Sequence, residues 1–281
     1  MNQNVLRLDK PILRFKVFED LVYIISDKLL IKADKESFEV TDEKVIFPKN
    51  SQSRDFVIDE NDIYCKDFCT LYKIDAKTLE IEKRWKLGTD LSSDICSLGF
   101  DSRNIYVTIR NGDLAVINKK SEEPLYYRVS DSSIWNMIVD DHIYAGNVNG
   151  DLLVIDKTNF KVNSLKNVHK KNLKSLFIDD NLIYTASQDL SIAKINKNSH
   201  DIIITKKKCH RKMFYFAGMI NNYLTTVSPP CRETKFWKKT DLSLSGAFNR
   251  GTRNSLIYED FLYETEGNIL KRIPISTLVS L

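Results

Sequence analysis

The chain has 281 residues, a formal net charge of +4, and only 9 Gly and 6 Pro. That length is ample for one large core or two smaller ones, but no Pro-, Gly- or Ser-rich tract and no long single-sign run offers a linker or a charged tail. Five cysteines, an odd number without framework spacing, exclude a disulfide scaffold; with no apolar leader at residues 1–10 and no apolar run long enough to span a bilayer, the expected location is the cytoplasm or another reducing space.

The first predicted element, residues 5–8 (VLRL), alternates apolar and polar residues but has no place in the repeat that follows, because residues 12–17 (ILRFKV) already supply that repeat's opening strand. From there one degenerate unit recurs to the end of the chain. A short Asp/Asn turn precedes an apolar-Tyr step, then a polar turn, then an apolar run ending in Ile-Asp or Ile-Asn. The equivalent positions Tyr23, Tyr64, Tyr106, Tyr144, Tyr184, Thr225 and Tyr263 are spaced by 41, 42, 38, 40, 41 and 38 residues.

Within each unit four short β-branched and aromatic runs, A to D, are separated by turn chemistry. In the fourth unit they are residues 134–139, 142–146, 151–156 and 160–165, with Asn149-Gly150 as a B–C hairpin turn in which both residues accept positive φ; Asn111-Gly112 stands at the same place one unit earlier. Seven such units and no helical periodicity predict an all-β fold, a single-domain seven-bladed β-propeller of four-stranded antiparallel blades. An open ring would leave unpaired strand edges. Residues 5–8 are therefore expected to pair into the last blade and close it; the alternative is that residues 277–279 supply that strand.

The fifth unit, HKKNLKSLFIDDNLIYTASQDLSIAKIN (residues 169–196), resembles the WD-repeat propellers, with a His before strand A, "TAS" in strand B and an Asp in the B–C turn. The resemblance implies that His169, Ser187 and Asp189 form a buried polar network and that the chain is a scaffold binding proteins or nucleic acids. The Trp-Asp dipeptide of that family is absent, with Ile-Asp or Ile-Asn in its place, and only Phe236-Trp237 keeps a Trp there. The fourth unit is equally similar to quinoprotein-type propellers.

Charge is unevenly spread. Residues 1–156 carry 21 Lys+Arg against 28 Asp+Glu, and residues 157–281 carry 21 against 10. In a propeller the D–A and B–C connections emerge on one face and the A–B and C–D turns on the other. Lys170 and Lys171 lead into the fifth blade, Lys206, Lys207, Lys208, Arg211 and Lys212 into the sixth, and Arg250 and Arg253 into the seventh, while Arg232 lies in the sixth B–C turn. These ten residues are the expected contact surface for a protein partner, an acidic one by charge, with RNA or DNA as the alternative. The A–B turns are acidic (Glu19-Asp20, Asp59-Glu60, Asp140-Asp141, Asp179-Asp180, Glu259-Asp260), which turn chemistry alone accounts for.

No reaction is legible. Cys65 and Cys69 form one pair without a second, short of the four ligands zinc takes. Cys209, His210 and Cys231 would share a face of blade six, with His169 as a neighbour across the groove, but free thiols are the expected state. No nucleophile–base pair, P-loop or dinucleotide fingerprint occurs. Trp85, Trp135 and Trp237 are expected to fill gaps between blades, and Phe214, Tyr215 and Phe216 to build a core strand. No catalytic residue, metal, cofactor, membrane contact or small-molecule substrate is predicted.

Overall fold

Each forty-residue repeat folds as one antiparallel four-stranded sheet, because four strands of about five residues and three turns use up that length. The structure, a computed structural model, describes residues 4–48, 55–121 and 123–278. The first strand is β1 (Val5–Arg7); blade one is β2–β5 (Ile12–Phe18, Leu21–Ser26, Leu29–Asp34, Val40–Val45) and blade two β6–β9 (Phe56–Asp59, Asp62–Asp67, Thr70–Asp75, Ile81–Lys86). Blade three is β10–β13 (Ile95–Phe100, Asn104–Ile109, Asp113–Asn118, Pro124–Arg128) and blade four β14–β17 (Ile134–Val139, Ile143–Asn147, Leu152–Ile155, Val162–Leu165). Blade five is β18–β21 (Leu173–Asp179, Leu182–Ser187, Ile192–Asn196, Ile202–Lys206) and blade six β22–β25 (Tyr215–Ile220, Tyr223–Ser228, Glu233–Lys238, Leu244–Phe248). The last blade has β26–β28 (Leu256–Tyr258, Phe261–Glu266, Ile269–Pro274) and takes β1 as its fourth strand. The fold is the all-β seven-bladed propeller that the repeat predicts.

The described residues divide into two compact units. One is drawn from Met1–Arg54, Asp75–Ile81 and Phe214–Leu281, the other from Asp55–Ile74 and Glu82–Met213. In the first unit β1 runs antiparallel to β28 with Leu6 opposite Leu270, and the N–H of Leu8 donates to Asn268 O at 2.9 Å. Leu6 is buried among Phe15, Val17, Tyr263 and Leu270, so the pairing gains apolar burial as well as ladder bonds. The N-terminal run thus fills the last blade's D position. Ile275–Thr277 forms a short 3-10 turn rather than a strand, and the competing D strand's last residue, Val279, lies outside the described residues.

The repeating tyrosine has a packing reason. In the second unit Tyr64 of β7 packs with Ile95 and Leu98 of blade three, Tyr106 of β11 with Ile134 and Met137 of blade four, and Tyr144 of β15 with Leu173 and Leu176 of blade five. In the first unit Tyr263 of β27 packs with Phe15 and Val17 of blade one. Each ring is a knob on a middle strand that enters the next blade. The hydroxyls of Tyr64, Tyr106 and Tyr144 donate to Asp62 (3.1 Å), Asp101 (2.8 Å) and Asp141 (3.0 Å), at or beside the A–B turns. Burial of the ring pushes the Tyr106 hydroxyl up to about 12.

The Ile-Asp/Ile-Asn ending closes the C–D turn. Asp34 Oδ1 accepts from the N–H groups of Glu36 and Ser37, Asp75 Oδ1 from Lys77 and Thr78, Asp156 Oδ1 from Thr158 and Asn159, and Asn196 Oδ1 from Asn198 and Ser199. The chain then turns left-handed at Phe38, Leu79, Phe160 and His200, whose N–H groups bond back to the carbonyls of these same Asp and Asn residues. The following lysine often reaches the previous blade's A–B acids. Lys35 meets Glu259 (3.2 Å), Lys157 meets Asp101 (3.4 Å), Lys197 meets Asp140 (2.6 Å) and Asp141 (3.1 Å), and Lys119 meets Asp59. These acids are turn formers tied into the scaffold.

The Asn-Gly turns differ from expectation. Only the glycines have positive φ, Gly112 at 101° and Gly150 at 90°. Gly112 N–H closes a turn on Ile109 O at 2.9 Å, so the glycine follows the turn instead of sitting inside a two-residue loop. A Cβ on Gly112 would lie 2.1 Å from Ser130 O; the position needs both the left-handed backbone and the missing side chain.

Candidate binding face of blade five

Blade five carries the expected buried polar network, with changed membership. His169 is buried; its Nδ1 lies 2.7 Å from Ser191 Oγ and its Nε2 2.8 Å from Thr185 Oγ1. Ser191 Oγ in turn donates to Asp189 Oδ1. Ser187 does not touch the imidazole: its hydroxyl donates to Lys171 O (2.9 Å) and accepts from Asp189 N–H (3.0 Å). The register explains this, since Thr185 and Ser187 lie two residues apart on β19 and the ring reaches the deeper of the two. Burial lowers the His169 pKa and keeps the ring neutral. Burial disfavours charge on Asp189 as well, but hydrogen bonds from Ser191 Oγ and Lys170 N–H outweigh it and hold the carboxyl below its usual range.

The network fixes where the neighbouring lysines stand. Asp189 Oδ2 accepts from Lys170 N–H at 2.8 Å, and Asn172 O accepts from Gln188 N–H at 2.9 Å, so the connection entering the blade is tied to the B–C turn. The connection leaving the blade is tied to the same turn, because Cys209 N–H donates to Leu190 O at 2.9 Å. Lys170 and Lys171 therefore flank one side of this turn and Lys206, Lys207 and Lys208 the other, with Arg211 and Lys212 following. All seven side chains are exposed. Among the described residues none of the seven has an ion-pair partner, whereas Lys166 nearby is held by Asp151 at 3.3 Å.

The remaining three predicted contact residues belong to the first unit. Arg232, left-handed at φ 49°, pairs with Glu266 at 3.4 Å, and half-buried Arg250 pairs with the buried Glu264 at 3.1 Å. Arg253 is exposed. Carboxylates thus partly neutralise the first unit's share of the basic residues.

Two of the tryptophans are buried as expected. Trp85 sits in the cluster joining blades two and three, and Trp237 Nε1 donates to Thr226 Oγ1 at 2.7 Å. Trp135 is a correction: it is 37 % exposed on β14, with the Arg110 guanidinium 5.3 Å from its ring centroid. It is the extra residue of the β-bulge between Ile134 and Asn136, which turns it out of the alternation that buries Ile134 and Met137. Of the aromatics opening blade six, Phe214 is buried while Tyr215 and Phe216 are only half-buried.

The cysteines are free thiols, and burial pushes the Cys69 thiol up and that of Cys96 up to about 12. Among the described residues no three His, Cys, Asp or Glu side chains gather to hold a metal, and no helix is long and apolar enough to cross a membrane.

No protein-family profile and no curated protein sequence matches this chain. Solved structures do. A chain in the crystal structure of the mitotic checkpoint complex superposes with a TM-score of 0.82 at 10% identity, covering 97% of this chain and 91% of that one. The structure of U3-55K gives 0.78 at 12% identity over 96% and 98%, and the computationally designed Ika8 protein gives 0.70 at 10% identity over 95% and 97%. At these identities the likeness establishes the propeller fold and nothing finer.

Proposed function

We propose that this chain is a non-catalytic docking platform, a subunit that binds an acidic segment of a protein partner through the B–C and D–A edge of blade five. One observation carries the reading. Seven exposed cations flank a turn that is immobilised from beneath by the His169–Asp189 network, so a partner's carboxylates meet positioned charge rather than a loose tail. The mitotic checkpoint complex, in which one structurally similar chain is found, supports a role within an assembly. Five cysteines without a disulfide suit a reducing compartment, and we place the protein in the cytoplasm. A second reading, binding of RNA or DNA, is favoured by the exposed Trp135 beside Arg110, a pair able to stack on a base.

The test is a pull-down from native extract, with and without nuclease, using the wild type beside a variant with Lys206, Lys207, Lys208, Arg211 and Lys212 changed to Glu. The variant is expected to keep the wild-type melting curve and lose a partner that survives nuclease. Loss of that partner with nuclease alone would shift the assignment to nucleic acid, with a steep salt dependence as its signature. A folded variant that keeps every partner refutes the docking role of this edge.

A further inference from the structure

The outer strand of blade five, β21, is an open edge. Asn196 N–H donates to Asp201 O at 2.9 Å and Lys197 N–H to Asn181 O beside β19, so the even-numbered residues of β20 face β21. Ile192 and Lys194 pair with Lys206 and Ile204, which turns the N–H and C=O of Thr205, between them, away from the sheet. Thr205 is exposed, and Ile202 and Ile203 are 45 % and 47 % exposed. Ile203 is the extra residue of a β-bulge opposite the Lys194–Ile195 step, which re-aims it and leaves two consecutive isoleucines uncovered.

Charge continues the line of the strand. β21 ends at Lys206, Lys207 follows, and the chain turns left-handed only at Lys208, φ 56°. These lysines are exposed, and β21 itself carries no carboxylate; the acid nearest in sequence, Asp201, precedes the isoleucines at the opposite end. Other outer strands are closed to such a segment in different ways: β5 carries Asp42 and Glu43, β13 opens on Pro124, which has no N–H, and β17 has only four residues. Lysines on an edge disfavour a basic strand and admit an acidic one, so they set the chemistry of the occupant.

We propose that an acidic segment of a partner protein binds blade five as a fifth, antiparallel strand on β21. The inference rests on the blade-five docking reading and says how the segment is held. Its main chain exchanges hydrogen bonds with the outward N–H and C=O of Thr205, which gives affinity without sequence. Its apolar side chains cover Ile202 and Ile203, and its carboxylates meet Lys206 and Lys207. The lysines lie at the C-terminal end of β21, so the antiparallel direction requires the acids to precede the apolar residues in the partner. A nucleic acid has no amide ladder and gains nothing from Thr205.

The experiment is fluorescence anisotropy of a labelled peptide, Glu-Glu-Glu-Val-Thr-Val-Val, titrated with the full chain at constant ionic strength. Two further versions carry N-methyl groups on alternate residues, one in each phase, so that one loses the amides facing β21 and the other only amides facing solvent. The unmodified peptide is expected to bind saturably. One phase of methylation should weaken it about tenfold or more and the other leave it nearly unchanged. The reversed sequence, with the same charge, should bind more weakly. Thr205→Pro removes an N–H that faces solvent in the free chain, so it should keep the wild-type melting curve and weaken binding about fivefold or more. The methylated peptides act on the wild-type chain and keep the test open should Thr205→Pro fail to fold. Absence of saturable binding, or equal affinity for the two methylated peptides, overturns strand addition, and tighter binding of the reversed sequence overturns the antiparallel direction. If the methylated peptides bind alike and the blade-five charge-reversal variant loses them both, strand addition falls while the docking reading stands. If that variant binds every peptide as the wild type does, the docking reading falls and this inference with it.

Discussion

Replacing His169 by Ala removes the centre of the blade-five network, and the structure sets both the size and the pH dependence of the effect. The ring loses two hydrogen bonds to neutral hydroxyls, worth about 1 kcal/mol each. Emptying a fully buried imidazole site adds about 1–2 kcal/mol of lost packing. The expected loss is about 3 kcal/mol, roughly 6 °C in Tm for a chain of this size. The pH signature is sharper. In the folded chain burial lowers the His169 pKa, whereas the unfolded chain takes up the proton below about 6.5. The unfolded state therefore binds more protons on the acid side, and this group's contribution is complete above about 6.5 and is lost as pH falls through the lowered value. The variant lacks that loss. Denaturation of both proteins at pH 7.5 and pH 5 should show the gap between them narrowing at pH 5. A gap that stays constant or widens would refute the neutral, buried assignment of His169.

Lys197→Met leaves Asp140 and Asp141 without their shared ammonium and should cost about 1 kcal/mol at low salt. Most of that difference should vanish near 1 M salt; a salt-independent loss would contradict the ion-pair account. Asp34→Ala removes the acceptor of three hydrogen bonds in the first C–D turn and should cost about 1 kcal/mol. Hydrogen bonding from Ser37 lowers the Asp34 pKa, so this stabilisation is present above about pH 4 and lost as pH falls below it, a sign that acid titration of both proteins checks. Gly112→Ala, with a Cβ driven into Ser130 O, should destabilise by more than about 2 kcal/mol. Gly267→Ala, at φ 62° with no atom within 4 Å, should cost only about 1 kcal/mol by the same melting assay.

The architecture was legible in the sequence because a propeller blade is a local object. Its strands follow one another in the chain, its turns are written in Asp, Asn and Gly, and its tyrosine recurs because in blades two, three, four and seven the same middle strand packs its ring with the following blade. The alternating run at residues 5–8 announced its role by having no local partner. Site detail behaved differently. Thr185 and Ser191, not Ser187, hold His169, because strand register decides which hydroxyl lies level with a ring sixteen or more residues away. Trp135 is exposed because a bulge breaks the alternation that its sequence neighbours obey. Arg14 meets Asn254 across 240 residues, a pairing created only when the first and last blades come together. Local propensity and pattern set what each segment becomes; which side chains share a site depends on register and long-range packing, and the order of residues along the chain does not encode these one position at a time.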